Sequence, residues 1–150
     1  MLSKPEVGWC KVTIDDFSAD ASYLVDLPFD WLRASFNSLR YNLPLALYID
    51  EEGSNCTIVG EWCCSYVIIN HGDYNPELKA LNVDMLDIIL ALVRDINAYF
   101  EDWVTDFDEK ETEDRTERRA ELRELVDSVE KLLDEKLAQH HGICKPQREI

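Results

Sequence analysis

A chain of 150 residues with 46% hydrophobic content is long enough for one ordinary core, and its 31 acids against 15 bases leave a formal charge of −16. That excess repels phosphate backbones and anionic lipid headgroups, which sets direct binding of nucleic acid or a membrane surface aside. A partner with a basic surface, or solubility alone, is what the sign allows.

No Pro/Gly/Ser-rich linker divides the chain, so a single α+β domain over residues 1–150 is expected, with a loosely ordered tail at 140–150. Met1 to Val12 holds no apolar run followed by a small-residue cleavage site. The apolar run Met85 to Val93 is interrupted by Asp87 and is far too short to span a bilayer. These features predict a soluble, cytoplasmic protein. The five cysteines, Cys10, Cys56, Cys63, Cys64 and Cys144, are odd in number and lack C-x-x-C spacing, so they read as reduced, buried thiols.

In chain order, Gly8 to Phe17 reads as a first strand in which Val12 and Ile14 alternate with polar residues. Val7 and Trp9 fall on the other parity, so a bulge near Cys10 or a late strand start is needed, and Asp15, Asp16 and Asp20 mark the exit. Asp26 and Pro28 then open a helix carrying Phe29, Trp31, Leu32, Phe36 and Leu39, stopped by Asn42-Leu43-Pro44. Leu45 to Ile49 is a short strand, Asp50 to Asn55 a hairpin loop, and Thr57 to Ile69 a β-prone run best divided in two near Gly60. His71 to Pro76 is a loop by composition.

The central element is Asn82 to Phe107. Its apolar residues, among them Leu86, Ile89, Val93, Ile96, Phe100 and Trp103, recur every three or four positions, and Asn82 is the expected N-cap. The last helix, from about Asp114 to Gln139, carries Leu122, Leu125, Val126, Val129, Leu132, Leu133 and Leu137 on one face. At ~1.5 Å per residue it is long for a domain of this size, so a homodimer through this C-terminal helix competes with packing on its own core, the favoured outcome. The predicted fold is therefore α+β: a small antiparallel sheet of three to four strands, one helix after the first strand, and two C-terminal helices, the last one long.

Candidate chemistry is thin. No Gly-rich phosphate loop, HExxH, GxSxG or Walker pattern is present. Asp15, Asp16 and Asp20 can be imagined around Mg²⁺, and His140, His141 and Cys144 around zinc, yet neither set has a defining spacing. Cys63 or Cys64 with His71 is the one conceivable thiolate–imidazole pair. No catalytic residue, cofactor or metal is assigned.

The expected function is accordingly a non-catalytic protein-interaction module, an adaptor or inhibitor, presenting an acidic surface to a protein partner with a basic surface. Residues 15–52 and 101–118 each carry −6, so the candidate contact residues are Asp30, Asp106, Asp108, Glu109, Glu111, Glu113 and Asp114. Trp31 joins them as an interface anchor on the condition that it is exposed. Two alternatives stand beside this reading: a nucleic-acid mimic that inhibits a basic nucleic-acid-binding protein, and a metal-dependent enzyme using Asp15, Asp16 and Asp20.

Overall fold

The computed structural model describes residues 1–22, 24–72, 75–105 and 115–140, the last without the His140 side chain. They form an α+β arrangement of two antiparallel sheets and four helices.

The chain opens with a hairpin, β1 (Trp9–Ile14) and β2 (Phe17–Ser22). Where the sequence predicts a strand exit, Asp15 and Asp16 instead make a two-residue turn, and the strand returns in register from Ile14↔Phe17 to Trp9↔Ser22. Asp15 takes the left-handed conformation this turn needs, with φ of 51°. The turn of Val7 and Gly8 just before β1 settles the parity conflict. Val7 is 92% exposed, and the strand starts late, at Trp9. The segment before that turn folds back on β1, with Leu2 bridging Val12.

Helix α1 (Leu27–Tyr41) begins at Asp26 with Pro28 in its first turn and ends on Asn42 in the left-handed conformation. A four-stranded meander follows, β3 (Leu45–Asp50), β4 (Asn55–Gly60), β5 (Ser65–Asn70) and β6 (Glu77–Leu81), in that spatial order. The β-prone run does divide, with residues 61–64 as the turn. β6 is an addition to the predicted elements, because Glu-Leu-Lys-Ala-Leu carries no β-branched residue to announce it.

The central helix is α2 (Met85–Ala98) followed, after a break at Tyr99, by the short α3 (Phe100–Thr105). Its N-cap is Asp84 rather than Asn82. Asp84 accepts the Asp87 N–H at 2.9 Å and Asp87 accepts the Asp84 N–H at 3.4 Å, a reciprocal capping box. The Asn82 N–H is instead held by Asp15 at 2.9 Å, which fastens the hairpin tip to the start of α2.

Helix α4 (Arg115–His140) packs against α1, α2 and α3, and buries Leu122, Val126, Val129 and Leu133. The stripe that raised the prospect of a helix-mediated homodimer is thus covered within the chain along those four residues.

The core lies between the sheet and these helices. Leu45, Leu47, Ile49, Ile58 and Val67 are fully buried on one face of the meander, opposite Met85, Ile88, Ile89 and Leu92. α2 comes so close to β4 that a Cβ on Gly60 would stand 3.3 Å from the Met85 Cα and 3.2 Å from the Ile88 side chain. Glycine at that position leaves room for the helix to approach without a neighbour giving way.

The cover is fastened at its edges. Asp95 of α2, buried, accepts from the Leu2 N–H at 2.8 Å and pairs with the Met1 ammonium and with Arg94, each at 2.7 Å. Burial alone would raise its pKa. The hydrogen bonds from Arg94, the ammonium and Leu2 outweigh that effect and hold the carboxyl below its ordinary value.

Candidate functional site

Side chains alternate across a strand, so each strand of the meander presents a second set of residues away from the helices. The register aligns those sets into rows. One row reads Ala46, Val59, Tyr66 and Ala80 across the four strands; the next reads Tyr48, Thr57, Ile68 and Leu78; a third, polar row of Asp50, Asn55 and Asn70 borders them. Leu78 is 67% exposed, Tyr48 43%, both alanines are exposed, and the four central residues are half-buried by one another. None of the described elements closes over this face.

None of the eight positions in the first two rows is charged. Acids collect at one end of the face, where Asp50, Glu51 and Glu52 turn from β3 into β4 and Glu77 starts β6. Glu51 is tied inward by Ser54 at 2.8 Å, and Glu52 is exposed. At the opposite end stand Tyr41 and Leu43, 63% and 51% exposed. The surface is therefore an apolar, partly aromatic plate with Asp50 at one end and, beside Tyr41 and Leu43, Glu61 at the other.

Trp31 does not belong to it. Its ring is 1% exposed, and its indole N–H donates to the Tyr48 carbonyl at 2.9 Å. The condition for an interface anchor is not met, because α1 turns Trp31 inward. There the indole satisfies an edge carbonyl of β3. The β3 edge is thereby closed to a further strand at that point.

Asp30 is exposed on α1, 3.8 Å from Arg33. Partial desolvation and the neighbouring Asp26 charge push its carboxyl up, against the pull of Arg33. Asp106, Asp108, Glu109, Glu111, Glu113 and Asp114 lie outside the described residues. The two acidic segments do meet, but through opposite charges: Arg118 grips Asp26 with two hydrogen bonds of 2.8 and 3.0 Å and stacks over Phe29 at 4.8 Å.

The cysteines separate into two kinds. Cys10 and Cys56 are buried, and burial first, with Asp20 near one and Glu51 near the other, pushes each thiol up to about 12. Cys63 and Cys64 are exposed in the β4–β5 turn, not buried within a strand as the apolar run predicts. His71 stands beyond the far end of β5, about 20 Å away at ~3.3 Å per residue, so the imagined thiolate–imidazole pair is not brought together.

Asp16 pairs with Lys79 at 3.1 Å and Asp15 accepts from Asn82, so both serve the hairpin tip; Asp20 lies out along β2. Among the described residues no three His, Cys, Asp or Glu side chains are grouped to hold a metal ion. The zinc set imagined from the sequence falls on the His140 side chain, His141 and Cys144, which lie outside those described. An open cleft of about 340 Å³ between α1 and α4 is lined by Phe29, Arg33, Phe36, Glu121, Glu124 and Leu125, without a convergent set of reactive groups. Among the described residues no helix is long and apolar enough to cross a membrane.

Comparison with models of known families, with characterised proteins and with solved structures finds no match to this chain. What can be said of its function therefore rests on its own residues.

Proposed function

We propose that this chain is a non-catalytic protein-interaction module that docks a protein partner on the outward face of its four-stranded sheet. The supporting observation is the composition of that face. An antiparallel sheet with one solvated side ordinarily turns polar residues outward. In a chain that is 31% charged, the eleven outward positions of these strands would carry about three charges by frequency alone, yet they carry one, Asp50, at the rim. A contiguous plate of this kind marks an interaction site more often than a solubility defect.

The acids around it then have two roles. They keep an uncovered apolar surface from non-specific association, and they steer a complementary partner toward the rim. Tyr48 and Tyr66 supply amphipathic contact area of the kind that dominates docking energetics.

The test is site-specific photo-crosslinking in the producing cells. A benzoylphenylalanine at Tyr48 or Leu78 should yield a discrete protein adduct, whereas one at Leu90, 50% exposed on α2, should not. Equal labelling at all three positions, or none at the sheet positions, would remove the basis for this reading.

A further inference from the structure

We infer that Cys63 and Cys64, in the turn between β4 and β5, form a two-sulfur site for one monovalent copper ion. The inference stands apart from the docking reading above. It follows from how the two side chains are held and from what they are able to bond to.

The turn is pinned from three sides. Glu61 donates its N–H to the Cys64 carbonyl at 2.8 Å, which closes the hairpin one residue pair beyond Gly60↔Ser65. The Glu61 carbonyl accepts the Met85 N–H at 2.9 Å, so the turn is tied to the first residue of α2. Trp62, half-buried against the core, carries the Lys136 ammonium 5.7 Å from its ring centroid. With these neighbours fastened, Cys63 and Cys64 are left exposed, their thiols within hydrogen-bond reach of each other. Two soft donors are thus presented together at one fixed place, and little ordering is left for a ligand to supply.

A disulfide is the first bond that two neighbouring thiols offer, and here it is strained. The two Cα atoms are joined by a trans peptide and stand ~3.8 Å apart, short of the ~4.4 Å at which ordinary disulfides begin. Strained disulfides are the readily reduced ones, so in the presence of other thiols the pair persists as a dithiol. An ion between the sulfurs removes the obstacle. At roughly 2.3 Å from each, the length of a zinc–thiolate bond, it lets them stay roughly 3.5–4.5 Å apart, whereas a disulfide draws them to ~2.05 Å.

The surroundings select the ion. Local desolvation, then the charges of Cys63 and Glu61, push the Cys64 thiol up, so Cys64 resists ionising beside a Cys63 thiolate. A cation bound to both sulfurs cancels that repulsion. Two thiols and one Cu⁺ then give a bis-thiolate complex of charge −1 and release two protons. Among first-row metals, thiolate sulfur suits soft monovalent copper. Zinc takes four ligands, and among the described residues no third His, Cys, Asp or Glu joins these two.

The experiment is a competition titration of the full, reduced, metal-free chain with Cu(I) against bicinchoninate under nitrogen. The expected result is one copper retained per chain, with a thiolate-to-copper absorption band in the near ultraviolet. Copper loading should also remove two thiols from those that a thiol reagent labels in the native chain. Cys63→Ser and Cys64→Ser should each weaken retention at least about tenfold, since even the loss of a group that only supports a metal ligand costs that much. Cys144→Ser should leave retention unchanged.

Both side chains are exposed, so serine is expected to leave the fold intact, and far-UV circular dichroism of each variant checks it. A chain that retains no copper overturns the site. Retention that survives both serine exchanges, or is lost in only one of them, or is lost in Cys144→Ser, overturns it as well.

Discussion

The two faces of the meander are made from the same four strands and differ in what lies against them. On the inner face Leu47, Ile58 and Val67 are fully buried in the core; on the outer face Tyr48, Ile68 and Leu78 are partly or largely open. The lesson is that apolarity in a strand identifies residues suited to burial without saying which are buried by the chain itself. The inner set accounts for folding, while the outer set is available for something else.

The comparison can be broken most sharply with one residue type on both faces. Ile58→Ala removes a fully buried side chain from the inner face and is expected to cost about 2–5 kcal/mol in urea denaturation, mostly as cavity and lost transfer energy. If it costs no more than the outer-face exchange below, the assignment of faces is wrong.

Asp95 tests the fastening of the cover. Asp95→Asn leaves the ammonium of Met1 and the Arg94 guanidinium without their carboxylate and should lower stability by about 2 kcal/mol at neutral pH. The sign of the pH effect follows from its lowered pKa. A group depressed on folding contributes fully above its unfolded value, about 3.9, and loses that contribution as pH falls through the lower folded value. Thermal melts between neutral pH and about pH 3 should therefore fall more steeply for the native chain than for Asp95→Asn. Parallel curves would show that Asp95 carries no such linkage.

Gly60→Ala probes the closeness of α2 to β4. The added methyl meets Met85 at 3.3 Å and Ile88 at 3.2 Å, so the helix must shift, at an expected cost of about 1–3 kcal/mol read from the same denaturation curves. Smallest of all should be Ile68→Ala on the outer face, below about 1 kcal/mol in dilute, monomeric protein.

Several elements were legible because their signals are local. The apolar spacing of Leu86, Ile89, Val93 and Ile96 places α2, and the stripe from Leu122 to Leu133 places α4, since a helix brings positions three and four apart onto one side. β2 and β6 escaped because Phe-Ser-Ala-Asp-Ala-Ser and Glu-Leu-Lys-Ala-Leu are poor in β-branched residues; pairing with a neighbour, not propensity, makes them strands. The capping box was readable in principle from Asp84 and Asp87 at a spacing of three, a pattern that outranks the lone Asn82.

The candidate site was hidden for a different reason. Leu45-Ala46-Leu47-Tyr48-Ile49 is apolar on both parities, so alternation, the usual pointer to an outer face, is silent. Trp31 misled in the same way. Three large residues at a helix start suggested that one must be exposed, yet Phe29, Trp31 and Leu32 are all buried, because the sheet and α4 lie on different sides of α1.

The amino-acid order by itself determined the secondary elements with strong periodicity, the acidic balance and the turns at Asp50–Asn55 and near Gly60, since these depend on neighbours a few residues apart. Only the tertiary structure decided that Trp31 is internal, that Cys63 and Cys64 are external, and that one apolar side of the meander is left open. Burial is conferred by whatever packs opposite a side chain, and that partner is brought up from a distant part of the chain or from another molecule altogether.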